Sequence, residues 1–388
     1  MFYDLIIIGF GISGISLAKE AIKRKKKILI LEKDSNFGGV WHNAHKNSEL
    51  QTHKSFYEFC EETTMSKSIR HYPNKEILLK YLEDIIIKYN LNEFVKYSYT
   101  VEKLDLKNGL YIVNDIFTSK YIGICCGVNN KIRKIESLKD FNGKIIYRKQ
   151  LRKFDFNEVR NKNILIIGNG ASACDVIKSI DNIDNANKVI CIYRKPKYFI
   201  NKFLLGLPIS FFLNELVLLF FKKINILLYR LIVKIVFLIF FGNVLDIPYE
   251  KMNSSNLVGN NIIISKIKNG SLIYSKEEIV FAYKNNIVCS QNAHLNIDYI
   301  FCCNGYDSNI NFIDNIPKKR YLGIFHKDYK NIGFIGYNPS YNWPKISEKQ
   351  SLLFLDYMDN KFKVNKYYEK KIVSKEDYTY NLYDFLKL

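Results

Sequence analysis

The sequence predicts an α/β protein with two Rossmann-like dinucleotide-binding domains, one of them inserted into the other. Two glycine-rich turns, which begin at Gly9 and Gly168, carry this prediction, because each follows a short apolar strand pattern and opens a helical pattern. A second apolar run follows each helical pattern and completes a β-α-β unit. The length of 388 residues leaves room for two or three domains of ordinary size.

The first β-α-β unit occupies the amino-terminal end of the chain. Residues 5–8 are an aliphatic run that predicts a buried parallel strand, and residues 28–31 predict its neighbour. Between them, apolar residues recur at helical spacing from Ile15 to Ile22. Five consecutive cations at 23–27 predict a solvated helix end, where the helix dipole favours positive charge.

The glycines of the first turn have distinct expected roles. Gly9 permits the tight turn, Gly11 lets the backbone approach a pyrophosphate, and Gly14 allows close packing of helix on strand. Glu32, at the end of the next strand, would accept hydrogen bonds from ribose hydroxyls and disfavour a 2′-phosphate. The first turn therefore predicts a site for FAD or NAD(H) rather than NADPH.

The second turn differs at the positions that matter for the cofactor. Gly168 and Gly170 keep the pattern, and Ala173 takes the third glycine's place. After the strand predicted at 189–193, the acid of an NAD site is replaced by Arg194 and Lys195, which suit a ribose 2′-phosphate. We interpret this as an NADPH site; the alternative is two more surface cations in a basic protein.

Together, the two sites are typical of an enzyme that moves a hydride from NADPH to FAD. The segments 121–127 and 298–305 are each an apolar strand pattern that ends in a glycine turn, as expected where the chain crosses between an outer and an inserted domain. The sequence thus predicts a discontinuous FAD-binding domain at 1–150 and 286–388 around an NADPH-binding domain at 151–285.

The most apolar part of the chain is 203–241. Charged residues interrupt it, among them Arg230 and Lys234, and a charge at mid-bilayer costs about 2.5–3.5 kcal/mol on insertion scales. We therefore predict a small apolar helical subregion packed on the NADPH domain rather than a transmembrane hairpin. A peripheral membrane contact stays open as an alternative.

The net charge of +20 invites a nucleic-acid interpretation, which the composition argues against. Only nine of the 58 basic residues are arginine, the residue favoured for bidentate phosphate and base contacts. The sequence also holds no helix-turn-helix, zinc-finger or RNA-recognition pattern. We therefore expect no nucleic-acid partner.

The cysteines indicate a reducing compartment. None of the eight forms a C-x-x-C pair, and no Cys/His cluster has the usual zinc spacing, so we expect free thiols and no metal site. Because the amino terminus runs directly into a strand pattern without a secretion signal, we predict a cytoplasmic protein.

Several motifs resemble the flavin-containing monooxygenases. Gly38-Gly39-Val40-Trp41 resembles their GGxW block, and the match runs from about residue 2 to about residue 360. Residues 168–175 resemble the GxGxSxxD turn that binds NADPH in that family. Further segments that resemble family blocks are 50–54, 72–82, 141–147, 298–306, Gly336, and Glu348 with Gln350.

The resemblance implies a cycle in which NADPH reduces FAD, dioxygen adds to the reduced flavin as a hydroperoxide, and one oxygen atom passes to a small organic substrate. Amines, sulfides and keto acids are all possible substrates. His53 is the titratable residue that we place near the flavin, either as a hydrogen-bonding partner of NADP⁺ or the peroxide or as a structural histidine. The resemblance also implies cofactor contacts for Gly39, Trp41, Gly127, Ser172, Gly305 and Gln350.

The sequence departs from the family pattern at three places. Tyr147 stands where the family's fingerprint has histidine, which argues against a typical Baeyer–Villiger enzyme. Cys303 or Asn304 replaces a family threonine, and His53 stands where many members carry asparagine. This last feature, with the apolar 203–241 segment, is more similar to the YUCCA-type plant monooxygenases.

Two other functions are weighed against a monooxygenase. A disulfide reductase would need a redox-active cysteine pair facing the flavin, and the adjacent cysteines lie in predicted strands instead. A second alternative is an FAD/NADPH oxidoreductase or oxidase-like family member that has lost oxygenation, which the change at Tyr147 keeps open.

Overall fold

The computed structural model of the chain divides into two compact units, each built from separate segments. The first unit comprises Met1–Asn43, Lys54–Ile132 and Tyr306–Leu388, and the second comprises Ala44–His53 and Arg133–Gly305. The structure describes residues 1–60, 62, 64–128, 131–181, 186–204, 206–208, 257–260, 262–307, 310–313, 320–337, 342–364 and 372–373.

Helices and strands alternate along most of the described chain. The described α-helices are α1 Ile12–Lys23, α2 Lys75–Lys88, α3 Arg148–Leu151, α4 Ala171–Asp181, α5 Ile263–Lys268 and α6 Trp343–Met358. The described strands are β1 Phe2–Ile8, β2 Ile28–Leu31, β3 Val95–Lys96, β4 Leu104–Lys107, β5 Leu110–Val113, β6 Phe117–Ile124, β7 Lys131–Ile132, β8 Lys144–Tyr147, β9 Asn163–Ile167, β10 Lys188–Tyr193, β11 Tyr198–Ile200, β12 Phe203–Leu204, β13 Leu207–Pro208, β14 Leu257–Gly259, β15 Ile273–Lys276, β16 Ile279–Tyr283, β17 Asn286–Cys289, β18 Ala293–His294, β19 Tyr299–Cys302, β20 Tyr306–Asp307, β21 Arg320–Tyr321, β22 Ile332–Phe334 and β23 Ile372–Val373.

The first unit is organised around a mixed sheet of order β3-β2-β1-β6-β5-β4, with β22 also paired to β6. β1 runs parallel to β2 and β6, and β22 runs parallel to β6, whereas β4 and β5 join in antiparallel fashion. All four residues of β2 are buried, which explains why its sequence is uninterrupted Ile-Leu-Ile-Leu. The β1-α1-β2 unit predicted from the first glycine turn is confirmed.

The second unit contains a parallel sheet of order β15-β10-β9-β19-β8. Its central β9-α4-β10 unit follows the second glycine turn, so the predicted Rossmann-like architecture is confirmed for both turns. A small antiparallel sheet, β16-β17-β18, follows β15 along the chain.

The strand pairing shifts the domain boundaries from those predicted at 150/151 and 285/286. β19 pairs with both β9 and β8, so both β8 and β19 belong to the sheet of the second unit. The chain therefore crosses at Ile132/Arg133 and Gly305/Tyr306, close after the two glycine-ended segments that indicated crossing points, and the short segment Ala44–His53 adds two earlier crossings. The predicted boundaries would cut two strands from the sheet that hydrogen-bonds them.

A buried ion cluster, formed by Lys19, Glu20, Glu62 and Glu348, ties α1 to α6 in the first unit. The Lys19 side chain is 0 % exposed, and its Nζ lies 2.6 Å from Glu20, 3.3 Å from Glu62 and 2.5 Å from Glu348 carboxylate oxygens. Burial opposes the charge of Lys19, but hydrogen bonds to Glu20 and Glu348 raise its pKa overall. The ammonium therefore stays charged inside the protein because three carboxylates replace its water.

In the basic run at 23–27, Lys23, Lys25 and Lys27 are exposed, as predicted for a solvated helix end, whereas Arg24 and Lys26 are half-buried. Arg24 Nη1 lies 2.9 Å from Asp359 Oδ2, and Lys26 Nζ lies 2.5 Å from Asp359 Oδ1. Asp359 is the residue directly after α6. The end of α1 is therefore neutralised in part by the end of another helix.

Most of the predicted apolar helical subregion at 203–241 lies outside the described residues, which resume at 257. At its beginning, residues 203–204 and 207–208 pair as the antiparallel strands β12 and β13. Within the part of the chain that the structure describes, no helix is both long enough and apolar enough to cross a membrane.

Candidate functional site

The first candidate site lies at the carboxyl edge of the sheet in the first unit. From β1 the chain proceeds to β2 and β3 on one side, whereas β6 lies on the other side. The boundary between β1 and β6 is a topological switch point, where open α/β sheets bind ligands beyond the carboxyl ends of their strands. Gly9 follows β1 directly at this boundary.

Gly9 and Gly14 are required by close backbone packing at the switch point. Gly9 has a φ of +101°, and a Cβ placed there would lie 2.7 Å from the carbonyl oxygen of Cys125. A Cβ at Gly14 would lie only 1.9 Å from the carbonyl oxygen of Gly9. Any side chain at Gly14 would therefore push α1 away from the end of β1.

Gly11 and Gly39 face each other across the first turn. A Cβ at Gly11 would lie 3.5 Å from the Cα of Gly39, and one at Gly39, whose φ is +54°, would lie 3.1 Å from the Cα of Gly11. The paired glycines keep the approach to the start of α1 free of side chains. Trp41, two residues on, packs edge-to-face on Tyr57 with ring centroids 5.8 Å apart.

The amino terminus of α1 is available to an anion. Its N-cap is Gly11, which makes no side-chain capping bond, and the first turn contains no acidic residue. The free N–H groups and the positive end of the helix dipole are the features that bind phosphate in nucleotide folds.

Glu32 lies where an acid that binds the ribose was predicted, but its carboxylate already accepts hydrogen bonds from two backbone N–H groups. Phe10 N donates to Glu32 Oε2 at 2.6 Å, and Asp34 N donates to Oε1 at 2.8 Å. Burial raises the pKa of the Glu32 carboxyl, because it disfavours the charged form. Each carboxylate oxygen retains a second lone pair, so Glu32 can still accept a hydrogen bond from a ribose hydroxyl.

Gln350 supplies a buried donor beside the first turn. Its Oε1 accepts from Gly336 N at 2.8 Å, whereas its Nε2 is buried without a hydrogen-bond partner among the described residues. A Cβ on Gly336 would overlap the hydroxyl of Ser13, so this pair lies against the first turn of α1. An acceptor bound at that turn would satisfy the orphaned amide.

The second unit repeats the arrangement of the first. Gly168 follows β9 at the boundary with β19, has a φ of +106°, and would place a Cβ 2.3 Å from the carbonyl oxygen of Cys303. Gly170 faces open space among the described residues, none of which has a heavy atom within 4 Å of a Cβ placed there. Ser172 is partly exposed in the first turn of α4, and Ala173 is buried.

Arg194 and Lys195 lie directly after β10, and both side chains are exposed. Asn169, inside the glycine turn, donates to the carbonyl oxygen of Lys195 at 3.0 Å and to the Tyr274 hydroxyl at 2.9 Å. Tyr274 stacks on Tyr193 with ring centroids 4.3 Å apart. The two cations therefore stand on a backbone segment that is fixed to the second glycine turn.

Asp175, in α4, is the acid of the motif that resembles GxGxSxxD. Burial raises the pKa of the Asp175 carboxyl to about 7, while a hydrogen bond from Ser48 and the charges of Arg148 and Lys202 oppose the shift. This carboxyl therefore changes charge near neutral pH.

The remaining predicted site residues lie in different parts of the two units. Gly127, in the first unit, and Gly305, in the second, have φ values of +69° and +85°, and neither would crowd a Cβ. His53 is buried in the second unit, whereas the first glycine turn belongs to the first unit. The structure leaves its placement beside the flavin as a prediction.

The sequence interpretation missed a cluster of metal-ligand type in the second unit. Glu277, Cys289 and His294 are all buried, and one ligand atom from each lies within 4.8 Å of the others. The expectation of no metal site stays a prediction, because strand pairing brings these three side chains together although their sequence spacing is unusual for zinc.

Comparisons with known proteins agree with this two-turn layout. The family model of the pyridine nucleotide-disulphide oxidoreductases matches residues 6–203. The FAD-binding monooxygenase ktnD of Aspergillus niger is 26 % identical over 218 residues, covering 50 % of this chain and 35 % of that protein. The probable indole-3-pyruvate monooxygenase YUCCA7 of Arabidopsis thaliana is 24 % identical over 204 residues, covering 48 % of this chain and 46 % of its own length.

The chain therefore spans less than half the length of each of these two curated relatives. Among solved structures, OTEMO in complex with FAD and NADP superposes with a TM-score of 0.70 at 14 % identity, covering 92 % of this chain and 85 % of that one. The resemblance to flavin monooxygenases seen in the sequence is confirmed by these relatives. Because the family model also covers half of the sequence, including both glycine turns, the chain belongs to the pyridine nucleotide-disulphide oxidoreductase family.

Proposed function

We propose that this chain is an FAD-dependent, NADPH-consuming monooxygenase that oxygenates a small organic substrate. The observation that carries the proposal is a pair of glycine turns at equivalent switch points with opposite charges at the ribose position. Glu32 follows the strand after the first turn, and Arg194 follows the strand after the second. The first arrangement disfavours a 2′-phosphate and the second favours it, which separates an FAD site from an NADPH site.

The residues of the first unit suit FAD. Its pyrophosphate would meet the uncapped amino terminus of α1, next to the glycine pair Gly11 and Gly39. The orphaned Nε2 of Gln350 would donate to an acceptor of the cofactor at the same turn. Glu32 would accept from the ribose, and Trp41 would pack nearby on its partner Tyr57.

The residues of the second unit suit NADPH. The open space over Gly170 would admit a pyrophosphate, and the start of α4 has no acidic residue to repel it. Arg194 would bind the 2′-phosphate as a fork of N–H donors, with Lys195 adding a second charge. FAD held at the first glycine turn would supply the redox and oxygen-activating chemistry, and NADPH held at the second would supply the reducing equivalents.

His53 is proposed as the titratable group near the cofactors, and the substrate class is proposed as an amine, a sulfide or a keto acid. The relative named as a probable indole-3-pyruvate monooxygenase supports the keto acid within this range. O₂ is the proposed co-substrate.

A disulfide reductase is the less favoured alternative. All eight cysteines are free thiols, and burial raises the pKa values of Cys125 and Cys303 well above the ordinary thiol value. A buried thiol that stays protonated is a poor nucleophile for disulfide exchange.

The proposed function predicts a yellow protein that NADPH bleaches under nitrogen. After air is admitted in the presence of isotopically heavy dioxygen, an amine, sulfide or keto-acid panel should yield a product that carries the heavy oxygen. Mass spectrometry of the products checks this. Stoichiometric release of hydrogen peroxide without any labelled product would instead support the oxidase-like alternative, and a colourless protein would exclude both.

The Arg194→Ala variant tests the NADPH site separately. A charged hydrogen bond is worth about 1.5–3 kcal/mol, so the KM for NADPH should rise about tenfold or more. The KM for NADH, which has no 2′-phosphate, should stay within about twofold. Steady-state flavin reduction with each nucleotide measures both values.

Lys188→Ala is the matched control for Arg194→Ala. Lys188 is an exposed cation at the opposite end of the same strand, so its loss removes an equal charge without touching the proposed phosphate position. Equal effects of the two substitutions on NADPH would show that general surface charge, rather than Arg194, selects the cofactor.

A further inference from the structure

A second kind of site lies between the end of β15 and the small antiparallel sheet β16-β17-β18. The site is formed by the side chains of Glu277, Cys289 and His294, which we call the 277–289–294 trio. They offer a carboxylate, a thiol and an imidazole, and neither glycine turn contains any of them. The three residues come from three different places: the residue after β15, the last residue of β17 and the last residue of β18.

The register of the sheet explains why two of these side chains meet. Ile287 pairs with His294 and Val288 pairs with Ala293, so Cys289 comes opposite Asn292. Cys289 N donates to Asn292 O at 2.8 Å, which closes the turn between the strands. Because alternate residues of a strand share a face, Cys289 and His294 project from the same side of the sheet.

Glu277 completes the trio from the parallel sheet. Its N–H donates to the carbonyl oxygen of Tyr193 at 3.0 Å, which fixes its backbone beside the end of β10. One carboxylate oxygen lies 3.1 Å from His294 Nε2, and the other accepts from Asn292 Nδ2 at 2.8 Å. The Glu277 side chain is 0 % exposed, so these contacts with His294 and Asn292 take the place of water around its carboxylate.

We propose that Glu277, Cys289 and His294 bind a zinc ion. Imidazole, thiolate and carboxylate are the three side-chain ligand types that zinc accepts, and tetrahedral bonds of about 2.0–2.3 Å place ligand atoms roughly 3.3–3.8 Å apart. His294 Nε2 and Glu277 Oε2 are 3.1 Å apart, and the ligand atoms of the whole trio lie within 4.8 Å of one another. Movements of about 1 Å or less would bring these atoms to the separations of a tetrahedral zinc site.

Charge balance favours a divalent ion at this position. A carboxylate and a thiolate contribute two negative charges and neutral imidazole none, so the zinc complex is neutral and suits a buried place. The Asn292 amide donates a hydrogen bond that orients the Glu277 carboxylate. Metal ligands are commonly oriented by such a hydrogen bond from a neighbouring side chain. The fourth position would be taken by water from the exposed turn at 290–293.

Binding requires the release of the Cys289 proton, which goes to solvent as the zinc–sulfur bond forms. Cys289 is a free, buried thiol in the metal-free protein, so its proton must leave before the sulfur can bind zinc. The zinc affinity should therefore fall as the pH falls, since protons compete with the metal for the ligands.

The bound zinc would fasten the small sheet to β15 and the end of β10. Tyr193, whose carbonyl oxygen holds Glu277, immediately precedes Arg194. The ion would thus stand next to the segment proposed to bind the 2′-phosphate.

The test uses the full chain with its flavin. The protein is stripped of metal by dialysis against a chelator, titrated with Zn²⁺ against a coloured zinc indicator, and analysed for metal by mass spectrometry. We expect one zinc per chain in the unchanged protein and less than about one-tenth of that in Cys289→Ser and His294→Ala. Asn292→Ala should weaken binding about 10- to 100-fold, as loss of an outer hydrogen bond does.

Cys60→Ser is the control, because Cys60 is an exposed thiol in the other unit and its loss should leave zinc binding intact. If the ligand variants fail to fold, the unchanged protein still tests the proposal: Zn²⁺ should raise the thermal unfolding midpoint of the metal-stripped protein, because it binds the folded site. Absence of bound zinc, full binding by Cys289→Ser, or an unfolding midpoint that Zn²⁺ leaves unchanged would overturn it.

Discussion

Replacing Gly14 with alanine should weaken FAD binding by about 10- to 100-fold, the equivalent of 1–3 kcal/mol of overpacking. The added Cβ would lie 1.9 Å from the carbonyl oxygen of Gly9, far inside any permitted contact. To relieve it, α1 must move away from the end of β1, and its amino terminus then no longer meets the phosphate. Fluorescence titration of flavin-free protein with FAD measures the change.

Gly109→Ala is the appropriate control for this substitution. Gly109 also belongs to the first unit and has a φ of +78°, but within the described part of the chain no heavy atom lies within 4 Å of its added Cβ. The control therefore carries only the backbone strain of a left-handed alanine, about 1–2 kcal/mol of stability, and should bind FAD normally. Equal affinities for the two variants would show that the contact at Gly14 does not shape the site.

Replacing Lys19 with methionine should lower the free energy of unfolding by about 3–5 kcal/mol. The substitution keeps an apolar chain of similar length but leaves three carboxylates, from Glu20, Glu62 and Glu348, without their shared cation. Glu62 keeps Lys88 as a partner, whereas Glu348 faces the interior of the unit. Denaturant unfolding followed by circular dichroism gives the difference.

Lys80→Met serves as the comparison, because Lys80 also contacts two carboxylates but is 62 % exposed. Exposed pairs contribute about 1 kcal/mol or less, so this variant should lose little. Similar losses at the two positions would show that burial does not set the energy of the ion cluster.

The same cluster predicts how stability changes in acid. Burial opposes ionisation of Glu62, but its bonds to Lys88, Tyr89 and Lys19 leave its pKa below the ordinary value. Its contribution is therefore present above the unfolded-chain pKa of about 4.3 and is lost as the pH falls below it. The stability difference between the unchanged protein and Lys19→Met should accordingly shrink in that range.

The features that could be predicted from the sequence are those whose residues are consecutive in the chain. Gly9 and Gly168 identified both β-α-β units because strand, turn, helix and strand follow one another within about thirty residues. Arg194 was placed correctly at the end of β10 for the same reason, since the end of an apolar run marks the end of a strand.

The features that were missed depend on pairing between distant residues. Lys19 had a signal, because it stands four residues after Ile15 and three before Ile22, on the apolar side of the helix. Its partner Glu348 lies 329 positions away, and the helical period does not identify it. The trio at Glu277, Cys289 and His294 likewise required the strand register, and the domain boundaries required the pairing of β19 with β8.

The ion cluster also constrains the order in which the chain can fold during synthesis. Lys19 is made early, but Glu348 leaves the ribosome only after the whole stretch of 133–305 has been made. The inserted unit has all its strands available first, whereas the outer unit must hold Lys19 without its full set of counter-ions until α6 emerges. A truncation before Trp343 would therefore trap a nascent chain whose inserted unit is complete and whose outer core still exposes the face of α1 that carries Lys19.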